Sequence, residues 1–255
     1  MPRFFVGTDQ ISDKDIVITG TDVNHIRNVL RMTPGEEVTV SDGQGMDYFC
    51  RIAELTKEEV RLDIVDSWHS FVELPAKIYL FQGLPKADKM ELIIQKAVEL
   101  GVYEIVPVAT KRAVVKLDPK KEEKKRLRWQ SIAESAAKQA GRALIPQIAT
   151  CITFEKALRM CNGLDAALIP YEKAEGMQHA RDQVRALHGK HSIGIFIGPE
   201  GGFEESEIEA ARAAGAIPIT LGHRILRTET AGLTMLSILM FELEEDSILY
   251  GSLYG

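Results

Sequence analysis

The feature that most constrains the fold of this 255-residue chain is a change in hydrophobic rhythm near residue 72. Beyond that point, short apolar runs typical of buried strands alternate with amphipathic segments of helical length. Gly101 and Gly141 each follow such a segment, at the position where glycine commonly ends a helix. Alternation of strands and helices predicts a parallel sheet flanked by helices, which is an α/β fold.

In this second part of the chain, the apolar runs predict strands at 77–82, 103–108, 166–169, 193–197 and 217–221. The helical pattern predicts helices at 87–100, 119–140, 153–160, 175–187, 204–214 and 230–244.

Up to residue 72 the pattern is different, because short alternating segments are separated by turn residues such as Thr33-Pro34-Gly35 and Ser41-Asp42-Gly43. Strands are predicted at 4–6, 16–18, 37–41, 47–53 and 60–65. A short helix capped by Thr21 or Asp22 is expected between them, with one apolar face formed by Val23, Ile26, Val29 and Leu30. Several short strands at this spacing predict a small β-barrel. We therefore expect two domains, 1–72 and 73–255.

Composition excludes several classes of protein. The three cysteines (Cys50, Cys151 and Cys161) lie far apart and the histidines are scattered, so neither a structural zinc site nor a disulfide framework is expected. The most apolar run, 233–241, is too short to span a bilayer, and the first residues lack the pattern of a signal peptide. A cytoplasmic protein with no metal and no membrane partner is therefore expected.

The net charge of −6 argues at first against a nucleic-acid partner, but basic residues are concentrated between Lys111 and Arg128. Because salt limits the reach of a charge to about 8–10 Å, a local basic patch can bind phosphates on an acidic protein. A solvated helix face accounts for the same charges equally well.

Three loops at predicted strand ends have unusual compositions, and ligands of open α/β sheets bind at the carboxyl ends of strands. The first is Ile197-Gly198-Pro199-Glu200-Gly201-Gly202-Phe203, whose glycines permit close backbone approach to a ligand. Its spacing matches neither the dinucleotide fingerprint nor the P-loop. The acids that open the next helix would repel a phosphate, so a cofactor without phosphates fits better (Glu204, Glu205 and Glu207). An ordinary glycine-rich turn is the alternative.

The second loop, residues 221–231, combines two arginines, a carboxylate and threonines beside a strand end. That mixture suits a binding site, although Arg224 and Arg227 could equally be surface residues, and Thr228 or Thr230 a helix cap. The third loop, residues 169–173, also follows a predicted strand, but its composition alone does not indicate a function.

The sequences GPEGGF (198–203) and LGHRILRTETA (221–231) resemble the SPOUT superfamily of RNA methyltransferases and, within it, the RsmE family. The other matching stretches, in the expected order, are PRFF (2–5), HIRNVLR (25–31), QKAVELG (95–101) and QAGR (139–142). One departure is Lys138, where many relatives carry an acid, and it alters charge more clearly than chemistry.

The resemblance implies a PUA-like β-barrel that binds RNA, followed by a parallel sheet flanked by helices and closed by a trefoil knot, a rare exception to unknotted topology. It also implies a homodimer that binds bent S-adenosylmethionine and methylates N3 of a uridine in 16S ribosomal RNA of the small subunit. A non-catalytic RNA-binding module for ribosome assembly is the alternative. A nicotinamide or flavin oxidoreductase is disfavoured, because its fingerprint loop and ribose-binding acid are absent.

Residue roles follow from the resemblance. The expected cofactor contacts are Pro170, Tyr171, Ile197, Gly198, Pro199, Glu200, Gly201, Gly202, Leu221, Gly222, Ile225 and Leu226. The expected RNA contacts are Arg3, Arg27, Arg31, Lys86, Lys89, Lys111 and Arg112. Alternatively, Arg31 pairs with an acid of its own domain.

The catalytic assignment follows from the proton on uridine N3, which must leave before the nitrogen attacks. A general base, or a cation that stabilises the uridine anion, is therefore needed. Arg227 and Glu229 are the leading candidates, with Arg142 reaching RNA from the partner subunit. Alternatively, Arg227 and Glu229 form a structural ion pair, and Arg142 merely follows a helix cap.

Overall fold

The structure is a computed structural model that describes residues 1–113 and 119–244, without the side chains of residues 119–121. Within the predicted basic segment, Lys116 and the side chains of Lys120 and Lys121 lie outside the described residues. The chain forms two compact units: unit 1 is Met1–Glu73 with Ala137–Ile145, and unit 2 is Leu74–Ala136 with Pro146–Gly255. A division into domains 1–72 and 73–255 would leave Ala137–Ile145 outside the first, and it stays a prediction.

Unit 1 is built on a five-stranded sheet, and every strand predicted in this region is present. The strands are β1 (Arg3–Phe5), β2 (Asp15–Thr19), β3 (Glu37–Ser41), β4 (Met46–Leu55) and β5 (Glu59–His69). Their order is β1-β3-β4-β5-β2, in which only the β1–β3 pair is parallel. Apolar side chains from all five strands form the core of this unit, as strand alternation requires.

The short helix of unit 1 differs from its prediction in both its cap and its apolar face. Gly20, rather than Thr21 or Asp22, precedes α1 (Thr21–Asn24), which continues into a π-helical turn at His25–Val29. The wider turn shifts later side chains off the 3.6-residue period. Val23 and Ile26 are consequently buried, whereas Val29 and Leu30 are 60% and 40% exposed.

Unit 2 contains the parallel sheet flanked by helices. Its strands are β6 (Lys77–Gly83), β7 (Glu104–Ala109), β8 (Gln147–Ile148), β9 (Ile152–Thr153), β10 (Ala166–Pro170), β11 (Ser192–Ile197) and β12 (Ile217–Ile219). Its helices are α2 (Lys89–Glu99), α3 (Pro119–Gln139), α4 (Phe154–Cys161), α5 (Met177–Arg185), α6 (Glu205–Ala213) and α7 (Thr228–Leu243). All strand pairs are parallel, which confirms the predicted α/β class. Among the helices in the described ranges, none has both the length and the apolar character to cross a membrane.

The strand order of unit 2 brings the candidate loops together. The order is β12-β10-β11-β6-β7-β8, with β9 also beside β7, so β10 lies between β12 and β11. Because neighbouring parallel strands end at the same edge of a sheet, the loops that follow β10, β11 and β12 emerge side by side. The rings of Phe81 in β6 and Phe196 in β11 are stacked with their centroids 4.5 Å apart, and this contact packs the two strands together in the core.

Candidate functional site

The three loops border one cleft of about 690 Å³ in unit 2. The cleft is lined by parts of 170–177, all of 197–203 and all of 220–228. The convergence expected from the sequence is therefore present. Every residue predicted to contact a cofactor lies along this cleft, namely Pro170, Tyr171, Ile197, Gly198, Pro199, Glu200, Gly201, Gly202, Leu221, Gly222, Ile225 and Leu226. Their binding role stays a prediction.

The glycine-rich loop is packed so closely that a Cβ would collide with it at Gly83 and would be tightly placed at Gly198. A Cβ at Gly83, the last residue of β6, would lie 2.7 Å from Cδ and 2.8 Å from N of Pro199. A Cβ at Gly198 would lie 3.1 Å from the backbone of Gly202. Gly202 itself has a φ of +67°, a conformation that favours glycine. These glycines therefore allow the loop to fold tightly against the end of β6.

A buried chain of hydrogen bonds links the glycine-rich loop to two other elements. Gln82 Nε2 donates to Thr228 Oγ1 at 3.0 Å and to the Gly83 carbonyl at 2.9 Å. The Thr228 hydroxyl donates in turn to the Gly198 carbonyl at 2.6 Å. Sequence reasoning missed Gln82 entirely; the available signal was a single amide at the end of an apolar strand.

Neither threonine caps α7, although both were considered as caps. The N-cap is Arg227, and it makes no side-chain cap hydrogen bond. The helix begins at Thr228, two residues earlier than predicted, and the Thr228 hydroxyl donates a hydrogen bond to the Gly198 carbonyl.

The acidic start of α6 is arranged differently from the sequence interpretation. Glu207 is buried, and its carboxylate accepts from the N–H of Glu204 and from the N–H of Lys111, both at 2.9 Å. This is a capping box joined to the end of β7. The charge of Glu207 therefore stabilises the helix start and is not presented to a ligand. Of the three acids that were expected to repel a phosphate, only Glu204 and Glu205 remain available to do so.

Lys89 joins the two carboxylates beside the cleft. Its Nζ lies 2.9 Å from Glu200 Oε1 and 3.5 Å from Glu229 Oε2, while the Lys86 N–H donates to Glu200 at 3.1 Å. The hydrogen bond from Lys89 to Glu200 is the main reason that the pKa of Lys89 is raised. Burial acts to raise the pKa of Glu200, but the bonds from Lys89 and from backbone N–H groups outweigh it and lower that pKa.

These contacts decide between two alternatives for Glu229. Its side chain is 14% exposed and pairs with Lys89, so the structural ion pair considered between Arg227 and Glu229 is not formed. Glu229 Oε2 is buried and receives no hydrogen bond from the described residues. Arg227 and Arg224 are exposed, border the cleft and form no ion pair within the described part of the chain.

Several cations predicted to contact RNA are bonded to residues of the cleft or of the start of α6, and their contact with RNA stays a prediction. Arg112 Nη1 donates to the Gly201 carbonyl at 2.9 Å, and Lys111 Nζ lies 3.4 Å from Glu204 Oε2. Lys89 is occupied by its two carboxylates. Of the four predicted RNA contacts in unit 2, Lys89 and Lys111 have carboxylate partners, whereas Arg112 and the amino group of Lys86 have none among the described residues.

Unit 1 holds the remaining predicted residues. Arg3 Nη1 lies 2.8 Å from Oδ1 of the buried Asp47 and also donates to the carbonyl of Arg142. Arg142 is buried, and its guanidinium forms an ion pair with Glu73. Arg31 is exposed and Arg27 half-buried, and neither forms an ion pair with a described residue.

The remaining contacts in unit 1 stabilise its local structure. Glu73 also accepts from the backbone N–H groups of Ala143 and Leu144, both at 3.1 Å. Lys138, the departure noted in the sequence, lies 3.1 Å from Asp22. These bonds hold the end of α3 and the residues that follow it within unit 1.

Metal-ligating groups do not cluster in the part of the chain that the structure describes. The three cysteines are free, and burial raises the pKa of Cys50 to about 12 and that of Cys151 to about 11. Thiols with such pKa values stay protonated near neutral pH and are poor metal ligands or nucleophiles.

Comparisons with known proteins agree with this architecture. Residues 72–240 match the family described as RNA methyltransferase domain, and residues 18–65 match the RNA methyltransferase PUA domain. The ribosomal RNA small subunit methyltransferase E of Bacillus subtilis is 38% identical over 250 residues, which cover 96% of this chain and 98% of the relative.

Two solved structures are similar over nearly the whole chain. The first is a ribosomal RNA small subunit methyltransferase E from Neisseria gonorrhoeae bound to S-adenosyl methionine. Its TM-score is 0.81 at 33% identity, with coverage of 94% of this chain and 97% of that one. The second, a methyltransferase from Legionella pneumophila in complex with the bound cofactor SAM, has a TM-score of 0.79 at 32% identity, covering 94% and 96%.

Proposed function

This chain belongs to the ribosomal RNA small subunit methyltransferase E family of S-adenosylmethionine-dependent enzymes, and from this membership we propose that it methylates N3 of a uridine in 16S ribosomal RNA. Its amino-terminal region is PUA-like and its parallel sheet is of the SPOUT type. The observation that carries the proposal is the convergence of three strand-end loops on one cleft.

We propose that S-adenosylmethionine binds in this cleft, where it would supply an electrophilic methyl group. The volume of about 690 Å³ lies within the range of small-molecule sites, roughly 300–1,000 Å³. A Cβ at Gly198 would lie only 3.1 Å from the backbone of Gly202, and Gly202 has a positive φ that favours glycine, so the loop offers backbone groups to a ligand. Relatives at 32% and 33% identity have been solved with this cofactor, which supports the assignment.

We propose that Glu229 accepts the proton that leaves uridine N3. Glu229 follows Thr228, which lines the cleft, and its buried Oε2 has the Lys89 amino group 3.5 Å away but no shorter hydrogen bond from a described residue, which leaves it able to accept a proton. In-line transfer further requires that the uridine be held rigidly, so orientation supplies much of the acceleration.

Arg227 is proposed to act on the uridine itself. Its guanidinium is exposed at the cleft and is not neutralised by an ion pair with any described residue. A cation in that position stabilises the negative charge that develops on the uridine carbonyl oxygens after N3 loses its proton. For Arg142, whose guanidinium is paired with Glu73, we propose a supporting role in unit 1 rather than direct contact with RNA.

RNA binding is proposed for four of the cations that form no ion pair with a described residue. They are Arg224 and the amino group of Lys86 in unit 2, and Arg27 and Arg31 in unit 1. Lys89, Lys111 and Arg112 instead hold the glycine-rich loop and the start of α6. Phosphate contacts of this kind give affinity that falls with salt and that depends little on base sequence.

Three further features are proposed on the basis of family membership. Two chains pair as a homodimer, the carboxyl-terminal loops form a trefoil knot, and the protein acts in the cytoplasm on the small ribosomal subunit. Light scattering at several concentrations tests the first, with twice the mass of 28.4 kDa expected. A monomer at micromolar concentration would contradict it.

The activity is tested by incubating the protein with labelled S-adenosylmethionine and small subunits from a strain that lacks the gene. We expect label at N3 of one uridine in 16S ribosomal RNA, and none on subunits from the parent strain, whose site is already methylated. Label on transfer RNA, on a carbon atom or on a ribose would contradict the target. RNA binding without transfer would favour the alternative, a non-catalytic module for ribosome assembly.

A further inference from the structure

The hydrogen-bond chain from Gln82 through Thr228 to Gly198 joins three elements that are distant in sequence. Gln82 lies in β6, Gly198 follows β11 and Thr228 begins α7. Gln82 and Thr228 are separated by 146 residues and Thr228 and Gly198 by 30, so the chain fixes tertiary rather than local structure.

We infer that Gln82 and Thr228 are positioning residues for S-adenosylmethionine, which act by fixing the Gly198 carbonyl and with it the backbone of the 198–202 loop. The inference rests on the proposed function. Gln82 has an exposed fraction of 0%, so it cannot touch a ligand and acts only through its neighbours. Thr228 lines the cleft, but its hydroxyl hydrogen is committed to the Gly198 carbonyl at 2.6 Å.

The chemistry of Gln82 argues against a role in packing alone. Burying an amide costs free energy unless its groups are hydrogen-bonded, and Gln82 Oε1 has no partner among the described residues. An apolar side chain of similar size would avoid that cost while filling the same space beside Thr228 and Gly232. What it would not supply is the pair of N–H groups that hold Gly83 and Thr228.

The direction of the bonds explains why loop position depends on them. The Gln82 amide saturates a lone pair of the Thr228 oxygen, which orients the hydroxyl hydrogen towards Gly198. A carbonyl held in this way cannot rotate freely, so the Gly198–Pro199 peptide keeps one orientation. A cofactor that binds mainly through loop backbone groups requires that single orientation before it arrives.

Three variants of similar size separate positioning from stability. Thr228→Val replaces the hydroxyl by a methyl group, Thr228→Ser retains the hydroxyl, and Thr230→Val makes the same change at an exposed position of the same helix. The measurements are calorimetric affinity for S-adenosylmethionine and for its demethylated product. The melting temperature without ligand monitors the fold. Turnover at saturating cofactor and the KM for RNA complete the comparison.

Thr228→Val is expected to weaken cofactor affinity about five- to tenfold, as for one lost neutral hydrogen bond, with kcat and the KM for RNA unchanged. Thr228→Ser is expected to restore affinity to within about twofold, and Thr230→Val to match the wild type. Gln82→Met should weaken affinity similarly, and combining it with Thr228→Val should add little, because both break one chain.

Wild-type affinity in Thr228→Val would overturn the inference. So would equal losses in Thr228→Ser and Thr228→Val, because the hydroxyl would then be irrelevant. A wild-type protein that binds no S-adenosylmethionine would instead refute the proposed function, and this inference with it.

Discussion

Substitution of Gly83 by alanine tests how closely the glycine-rich loop is packed against β6. The new methyl carbon would lie 2.7 Å from Pro199 Cδ, 2.8 Å from Pro199 N and 3.0 Å from Ile197 O. Because carbon–carbon contacts are most favourable at about 3.5–4.0 Å, Pro199 or the end of β6 must move by about 1 Å. Overpacking of this kind costs about 1–3 kcal/mol of unfolding free energy.

Gly232 provides a matched control, since alanine there adds the same methyl group within α7. That methyl would lie 3.6 Å from Gln82 Oε1 and 3.7 Å from Ile197 Cγ1, which are ordinary contacts. Alanine is also favoured over glycine inside a helix by up to about 1 kcal/mol. The same addition at two sites is therefore expected to change stability in opposite directions.

The two variants are compared by thermal unfolding and by calorimetric titration with S-adenosylmethionine. Gly83→Ala is expected to unfold at lower temperature and to bind the cofactor about tenfold more weakly, the equivalent of about 1.4 kcal/mol, because Pro199 is displaced. Gly232→Ala is expected to be at least as stable as the wild type and to bind normally. Wild-type stability and affinity in Gly83→Ala would refute the close packing described for this loop.

Four further predictions concern other parts of the molecule. Arg227→Ala should keep cofactor affinity but lower single-turnover methylation about 10²–10³-fold, and full activity would reject its assigned role. Gly201→Trp should abolish the calorimetric signal of cofactor binding, because its Cβ would lie 3.2 Å from Arg112 Cβ and the bulky side chain must displace the loop that lines the cleft. Arg142→Ala should lower the unfolding free energy measured with denaturant by about 3 kcal/mol, at the low end for a buried pair because its carboxylate partner is 21% exposed. The Lys89–Glu200 pair should stabilise the fold only in a window of pH, since the pKa of Glu200 is lowered from 4.5 and that of Lys89 is raised from 10.5. The contribution of this pair to the unfolding free energy is complete between about pH 4.5 and about pH 10.5. It is lost as the pH falls through the lowered pKa of Glu200 or rises through the raised pKa of Lys89. The prediction would be contradicted if the difference in unfolding free energy between the wild type and Glu200→Gln did not change with pH.

The fold was largely predictable because its signals are local. Gly101 and Gly141 have positive φ after helices, as their positions in the sequence indicated. Apolar runs such as 193–197 predicted the strands of the parallel sheet. Because parallel strands end at the same edge of a sheet, the loops at their carboxyl ends were expected to lie close together. Strands β8 and β9, of two residues each, carry no periodicity and were missed.

The fate of individual charges was not predictable, because it depends on partners distant in sequence. Lys89 pairs with Glu200, 111 residues away, and Arg112 bonds to Gly201, 89 residues away. A basic residue in a sequence looks the same whether it faces RNA or a carboxylate. The π-helical turn at His25–Val29 was missed for a related reason, since pattern analysis assumes a 3.6-residue period.

A crystal structure of this protein grown with S-adenosylmethionine tests the central claim most directly. We predict electron density for one cofactor per chain in the cleft, in contact with the 198–202 loop and with residues 221–226. Density at any other place, or an empty cleft at saturating cofactor concentration, would contradict the account.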